Sequence, residues 1–217
     1  AVLCSHPIQY QAPLFRRLAV HPEMEIIVYF CWDFGVAKEA FDPGFGRKIK
    51  WDVPLLEGYN YKFLANASPK PSASFLGQIN PGITIELWRN KYDAVLVQGY
   101  STVSSWMALT LDWLTRTPVI FRGETDLYYP RSDWKKVLKG VFLPPLLKKP
   151  KAFLFSYSAN YHYYRHYGVP DEKLFFFPCA VDNGFWQGQA RRIAPFRDQI
   201  KAEIGIPSES PVILYVG

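Results

Sequence analysis

The sequence predicts an α/β protein with a Rossmann-like parallel sheet and helices on both faces of that sheet. Two observations lead to this fold class. Short apolar segments alternate with segments whose hydrophobic residues recur at helical spacing, which is typical of β-α-β units. The apolar segments are also hydrophobic at nearly every position, as strands require when both faces of their sheet are covered. With 217 residues, 49% of them hydrophobic, the chain is long enough to form a substantial core.

Six strands are predicted from apolar composition. Each is a short run rich in Val, Ile, Leu and Phe, bounded by polar residues, Gly or Pro. In chain order they cover residues 1–5, 25–31, 93–98, 118–122, 152–156 and 174–177.

Helices are predicted between these strands. The first covers residues 11–19, where Leu14, Phe15 and Leu18 recur at helical spacing and Pro13 fits the first turn. The others cover residues 103–114, residues 132–148 with an end near Pro144 and Pro145, and residues 159–167. Gly168 closes the last of them, because Gly takes the left-handed conformation without a Cβ clash.

The alternation stops between residues 33 and 82. This segment is rich in Gly, Pro and aromatic residues, and its Pro-Lys-Pro-Ser run at 69–72 is typical of a loop. We expect a long loop there with one or two short strands near residues 59–65. Loops of this length in compact domains are usually functional or mobile.

Candidate binding residues follow the strands, since ligands of open parallel sheets bind beyond the carboxyl ends of the strands. The loop after the first strand offers the polar side chains of His6, Gln9 and Tyr10. A helix N-terminus after such a loop can receive an anion or a polarised hydroxyl. The alternative interpretation is a capped turn in which His6 bonds to the backbone.

The loop after residues 118–122 carries a cluster of charged residues. The guanidinium fork of Arg122 suits a phosphate or a carboxylate. Glu124 or Asp126 can orient a hydroxyl or accept its proton. The alternative is an internal pair of the arginine and a carboxylate that only shapes the loop. In the third loop, Ser158 is placed to cap the next helix, with substrate contact as its second interpretation.

No metal site is predicted. His162 and His166 stand four positions apart on a predicted helix, the spacing of a metal-binding pair, but no third ligand accompanies them in the sequence.

The three cysteines, Cys4, Cys31 and Cys179, lie far apart, and two of them fall in apolar, strand-like runs. This favours buried free thiols over a disulfide scaffold. Together with the lack of a recognisable signal peptide, it predicts a cytoplasmic protein.

The formal net charge is +6. Nucleic acid is not an expected partner, because the basic residues do not alternate with stacking aromatic residues in a nucleic-acid-binding motif. An anionic membrane surface or a phosphorylated substrate fits this charge as well. Residues 134–151 combine lysines with apolar residues, which predicts either a peripheral membrane contact or a sheet-covering helix with solvated lysines.

Residues 156–186 carry the most specific pattern in the chain. A Ser follows a strand, an aromatic helix ends in Tyr-Gly-Val-Pro, and a Lys precedes a strand that ends in Pro before a Val-Asp step. These residues are Ser158, Tyr167, Gly168, Val169, Pro170, Lys173, Pro178, Val181 and Asp182. The pattern resembles the end of the N-terminal, acceptor-binding domain of GT-B-fold glycosyltransferases, particularly retaining family 4. The apolar run at residues 211–217 resembles the first strand of the second domain in that family.

The resemblance implies an organisation and an activity. Residues 1–190 would form the acceptor-binding domain, and residues 191–217 a linker and the first strand of a second domain that binds the nucleotide sugar. The complete enzyme would transfer a sugar from a nucleotide diphosphate sugar to an acceptor hydroxyl in polysaccharide or glycolipid synthesis, without a further cofactor. The 217-residue chain alone is then expected to be inactive. The residues expected to contact a carbohydrate or lipid-linked acceptor are His6, Gln9, Tyr10, Arg122, Glu124, Asp126 and Ser158.

This sequence departs from the family at two places. The loop after the first strand lacks the usual glycines, and Glu124 or Asp126 stands near the position of a family histidine. No catalytic residue is therefore predicted. Two other functions stay open: a nucleotide-sugar 2-epimerase of the same fold, and a non-enzymatic Rossmann-like binding module.

Overall fold

The computed structural model describes residues 1–36, 40–42, 46–49, 53–110, 112–128 and 132–214. The chain folds into two compact units, Ala1–Ala180 and Val181–Gly217.

The first unit is built on a seven-stranded sheet in which each strand is parallel to its neighbours. The fold class and the six apolar strands predicted from the sequence are thus confirmed, and the seventh strand lies in the predicted 59–65 region. The spatial order is β5-β2-β1-β6-β7-β8-β9, and a separate antiparallel pair joins β3 to β4. The strands are β1 (Val2–Cys4), β2 (Ile27–Phe30), β3 (Ala40–Asp42), β4 (Arg47–Ile49), β5 (Asn60–Phe63), β6 (Val95–Gln98), β7 (Val119–Arg122), β8 (Ala152–Phe155) and β9 (Leu174–Phe176).

Helices cover both faces of the sheet, as predicted. They are α1 (Ala12–Ala19), α2 (Gly82–Asn90), α3 (Val103–Thr110), α4 (Asp112–Thr115), α5 (Asp133–Leu147) and α6 (Ser158–His166). Val2 and Val28 face one side of the sheet and pack in a cluster with Phe15 of α1. Leu3 and Tyr29 face the other side, in a larger cluster that includes residues of α2, α3, α5 and α6.

The strand order places a topological switch point at β1. This strand pairs with β2 on one side and with β6 on the other. The loops that follow β1 and β6 therefore leave the sheet toward opposite faces and open a crevice at the carboxyl edge.

Two helices differ from the prediction. Helix α2 falls in a stretch to which no element is assigned from the sequence, and its residues Ile83 and Leu87 are buried one turn apart. Helix α5 continues through Pro144 and Pro145 to Leu147. Each proline removes a hydrogen bond to a carbonyl four residues earlier, but Gly140 and Val141 are exposed, so water can satisfy those carbonyls.

The end of α6 follows the prediction. Gly168 has φ +86°, and the amide of Val169 donates to the carbonyl of Tyr164 at 3.1 Å. This is the hydrogen bond of a Schellman motif, which a left-handed glycine allows.

The described part of the second unit contains two α-helices, α7 (Asn183–Ile193) and α8 (Arg197–Glu203), joined by a short 3-10 helix (Ala194–Phe196). Asp182 caps α7 by accepting a hydrogen bond from the amide of Phe185 at 2.9 Å. Residues 211–214 are not in a strand, and residues 215–217, the rest of the predicted strand, lie outside the described residues.

None of the helices in the described part of the chain combines the length and the apolar character needed to cross a membrane.

The fully buried side chain of Asn80 ties several elements of the first unit together. Its amide nitrogen donates to the carbonyls of Cys31 and Leu64 at 3.0 Å and of Ala65 at 3.1 Å. Its amide oxygen accepts from the hydroxyl of Ser104 at 2.8 Å. The ends of β2 and β5 are thereby held against the start of α3.

We expect Asn80→Ala to lower the free energy of unfolding by about 3 kcal/mol, because it leaves buried carbonyls without donors. Urea denaturation monitored by circular dichroism measures this. The matched control is Asn90→Ala at the exposed end of α2, with an expected change within about 0.5 kcal/mol. Equal effects of the two substitutions would contradict the structural role of Asn80.

Candidate functional site

Three neighbouring strands end in polar side chains at the carboxyl edge of the sheet. Cys4 ends β1, Gln98 ends β6 and Arg122 ends β7, with Gln98 and Arg122 directly paired in the ladder. Their side chains meet below a pocket of about 160 Å³ at the switch point. The pocket is lined by Cys4, Ser5, Ile8, Tyr10, Gln11, Gln98, Gly99, Arg122, Gly123 and Glu124.

Arg122 is the charged residue at the base of this pocket, with only 6% of its surface exposed. Its Nη2 lies 2.8 Å from Oε1 of Glu124, and its Nη1 lies 3.4 Å from Oε1 of Gln98. The guanidinium also contacts the thiol of Cys179 at 3.5 Å and lies 5.6 Å from the ring centre of Phe177. Its Nε has no hydrogen-bond partner among the described residues. A buried cation needs a counter-charge, and Glu124 supplies it, so this pair carries no net charge.

A small amide and thiol network supports the pocket from below. Nε2 of Gln11 donates to Oε1 of Gln98 at 2.6 Å, and Nε2 of Gln98 donates to the sulfur of Cys4 at 3.5 Å. Oε1 of Gln98 therefore accepts from both Gln11 and Arg122, which fixes the orientation of the Gln98 amide. Burial raises the pKa of the Cys4 thiol, so this thiol adds no charge to the base of the pocket.

Helix α6 holds the loop that carries Glu124. The hydroxyl of Tyr164 accepts from the amide of Gly123 at 2.8 Å and donates to its carbonyl at 3.0 Å. The hydroxyl of Tyr157 donates to the carbonyl of Glu124 at 2.8 Å, and Nδ2 of Asn160 donates to the carbonyl of Thr125 at 2.9 Å. Each residue from 123 to 125 thus has a backbone hydrogen bond to a side chain of α6 or of its N-cap residue Tyr157.

No larger residue fits at position 123 without movement. A Cβ atom there would lie 3.2 Å from the ring of Phe121 and 3.3 Å from the hydroxyl of Tyr164. Gly123 therefore allows the loop to pass close over the end of the sheet.

Tyr10 also lines the pocket. Its side chain is 37% exposed, and burial raises its pKa, with a further rise from the negative charge of Glu124. The hydroxyl is therefore protonated at neutral pH and can donate a hydrogen bond into the pocket.

The structure brings together three of the seven residues predicted to bind a ligand, namely Tyr10, Arg122 and Glu124. The internal ion pair considered as an alternative for Arg122 is present, and both of its members line the pocket.

The other four do not line this pocket. His6 packs edge-on against Trp32 and Phe34, and its Nδ1 lies 2.9 Å from the hydroxyl of Ser5. Gln9 is exposed, and Asp126 accepts a hydrogen bond from the amide of Tyr128.

The capping role predicted for Ser158 is wrong. Tyr157 occupies the N-cap position, and no side chain caps α6 there. Ser158 is instead the first residue of the helix and is exposed. The amide of Ser156 donates to Oδ1 of Asn160 at 3.2 Å. The side chain that accepts a backbone hydrogen bond at the start of the helix is therefore the longer Asn160, from inside α6.

Gln11, Gln98 and Cys179 are not among the site residues predicted from the sequence. For Gln98 a signal was present, because it is a polar residue directly after three apolar strand residues, just as Arg122 is. Gln11 was assigned to the first helix. Cys179 lies near Arg122 because of the course of the chain after β9, which the sequence does not indicate. Within the described residues, no group of three or more His, Cys, Asp or Glu side chains is arranged to hold a metal ion.

Comparison with known proteins adds information on the fold alone. No protein-family model matches the sequence, and no curated protein matches it. The crystal structure of Anabaena HepE (Alr3699) in complex with UDP matches with a TM-score of 0.50 and 13% identity, over 94% of this chain and 50% of that one. A second HepE structure, with UDP and glucose, gives a TM-score of 0.48 and 12% identity over 90% and 50% of the two chains.

This chain therefore spans about half the length of the structures it matches. The likeness supports the predicted fold class, a Rossmann-like half of a GT-B fold. Membership of family 4 and retention of configuration stay predictions.

The anchoring of the 123–126 loop by α6 can be tested by removing a single hydroxyl group. We expect Tyr164→Phe to lower the free energy of unfolding by about 2 kcal/mol, because it leaves the buried N–H and C=O of Gly123 unpaired. The control is Tyr161→Phe on the same helix, whose exposed hydroxyl bonds to Asp171, with a change within about 0.5 kcal/mol. Denaturant titration measures both, and a Tyr164→Phe protein as stable as its control would refute this anchoring.

Proposed function

We propose that this chain is the acceptor-side half of a glycosyltransferase that uses a nucleotide diphosphate sugar. In this proposal the pocket at the ends of β1, β6 and β7 binds the acceptor. The observation that carries it is the buried Arg122, paired with Glu124 at the switch point of the sheet. The fold shared with a protein crystallised with UDP supports it further.

The pocket offers both donors and acceptors to a hydroxyl-bearing ligand. Arg122 engages Oε1 of Glu124 and so fixes the direction of this carboxylate, which is 43% exposed. The carboxylate accepts the hydrogen bond of the acceptor hydroxyl and draws off its proton as the new glycosidic bond forms. Tyr10, which also lines the pocket, is a hydrogen-bond donor to the same ligand.

Charge selects the class of acceptor. Because Glu124 already neutralises Arg122, the pair does not attract a phosphate, whereas a neutral polyhydroxyl compound can bond to both partners. The acceptor is therefore a carbohydrate hydroxyl of a polysaccharide or glycolipid precursor. The contribution of this half is positioning, which holds the hydroxyl within reach of the anomeric carbon.

The donor is bound by a further domain. That domain stabilises the charge that develops on the leaving pyrophosphate, and closure over both substrates excludes water. The resemblance to family 4 adds retention of configuration to the proposal.

The test is a transfer assay on the complete natural protein that contains this chain. A panel of UDP-, GDP-, ADP- and dTDP-sugars is combined with mono- and oligosaccharide acceptors, and products are identified by mass spectrometry. We expect acceptor-dependent transfer. Conversion of the nucleotide sugar to an epimer without acceptor, or no turnover with any pair, would overturn the proposal.

We further expect Arg122→Lys to lower kcat/KM for transfer by about 100-fold, because lysine keeps the charge but loses the fork that orients Glu124. The matched control is Arg165→Lys, in an exposed pair 3.2 Å from Asp171, with an effect below about twofold. Thermal denaturation verifies that both variants are folded. If Arg122→Lys and Arg165→Lys have equal activity, the pocket is not the acceptor site.

A further inference from the structure

Helix α5 displays an apolar face that lies away from the protein core. We define the α5 face as Trp134, Val137, Leu138, Val141 and Phe142, whose exposed fractions range from 48% to 68%. At 100° per residue these five positions fall within an arc of about 140°. The residues that α5 buries, Leu143, Leu146 and Leu147, lie on the opposite side of the helix.

Most of α5 has little contact with the rest of the first unit. From Asp133 to Phe142 every residue except Lys139 is exposed, and burial begins only at Leu143. A helical stretch of this length is marginal in water without packing of its apolar side. Contiguous exposed apolar surface of this kind marks an interaction site.

The apolar surface extends beyond the helix. A cleft of about 480 Å³ separates α5 from the turn at Phe75, with Leu138 and Phe142 on one side and Phe75 and Trp106 on the other. Phe75 and its neighbour Leu76 are 46% and 64% exposed. The α5 face and this turn thus offer apolar side chains from two separate segments.

Lysines lie beside one edge of the α5 face and beyond the C-terminal end of α5. Residues 132–151 contain six lysines, at positions 135, 136, 139, 148, 149 and 151. The single acidic residue of this segment is Asp133, which pairs with Lys136 at 2.9 Å. An apolar arc with lysines at one edge and at the end of the helix fits a helix that lies in the plane of an anionic bilayer surface.

We propose that the α5 face docks on an anionic membrane surface. The apolar side chains enter the boundary between headgroups and acyl chains, and the lysines contact the acidic headgroups. A second copy of the chain is disfavoured as the occupant, because a two-fold interface through this face would bring two sets of lysines together. This inference goes beyond the proposed function and does not depend on it, since it concerns a different surface from the acceptor pocket.

The test is vesicle flotation with the complete natural protein. Vesicles of phosphatidylcholine alone are compared with vesicles that contain 30% phosphatidylglycerol. We expect at least tenfold stronger partitioning onto the anionic vesicles, and a marked loss at 0.5 M NaCl, because salt screens the lysines. No flotation with anionic vesicles, or equal flotation with both compositions, would overturn the proposal.

Substitutions on the α5 face test whether it is the surface that binds the vesicles. Val137→Ser with Val141→Ser is expected to lower the partition coefficient at least tenfold, whereas the matched control Val20→Ser with Val181→Ser, at two other exposed valines, changes it less than twofold. Circular dichroism checks that both are folded. Light scattering measures the oligomeric state: if the α5 variant alters self-association and leaves flotation unchanged, the face is an interface between copies and the membrane proposal is wrong.

Discussion

The burial of one positive charge constrains the whole carboxyl edge of the sheet. Arg122 ends a central strand with its guanidinium almost fully enclosed, and an unpaired charge there would cost several kcal/mol. Glu124 supplies the counter-charge, Gln98 an acceptor, and the segment after β9 brings Phe177 and Cys179 against the same group. Strand β7, its loop and the chain after β9 therefore meet at a single side chain.

The fold supplies the rest of the geometry. Because the strands are parallel and the chain reverses its direction of winding at β1, the loops after β1, β6 and β7 converge on one crevice. Helix α6 then makes the loop of Glu124 rigid through hydrogen bonds from Tyr157, Asn160 and Tyr164 to its backbone. Preorganised polar groups of this kind are what a positioning site needs, because they do not have to be rearranged when the ligand binds.

Structural features that depend on local composition were predicted correctly from the sequence. Features that depend on tertiary contacts were not. The apolar strands and the Arg122–Glu124 cluster were identified because buried parallel strands leave a strong local signal and ligands bind at their ends. Helix α2 was missed since packing overrides the weak propensity of its Pro-Gly start. The predicted cap at Ser158 is wrong because Asn160, inside the helix, accepts the local hydrogen bond from the backbone. Cys179 contacts Arg122, which is 57 residues earlier in the chain, and no local sequence pattern indicates such a contact.

The most direct test of the proposed acceptor pocket uses Cys179 as a reporter. It is exposed and lies 3.5 Å from Nη2 of Arg122, whereas Cys4 and Cys31 are buried, and burial raises the pKa of the Cys31 thiol to about 12. Of these three cysteines, Cys179 is therefore the one expected to react with iodoacetamide in the native protein. Mass spectrometry of the complete protein measures its rate of alkylation with and without the saccharide acceptor that supports turnover. An occupied pocket is predicted to slow this rate severalfold, and an unchanged rate at a saturating acceptor concentration would contradict the account.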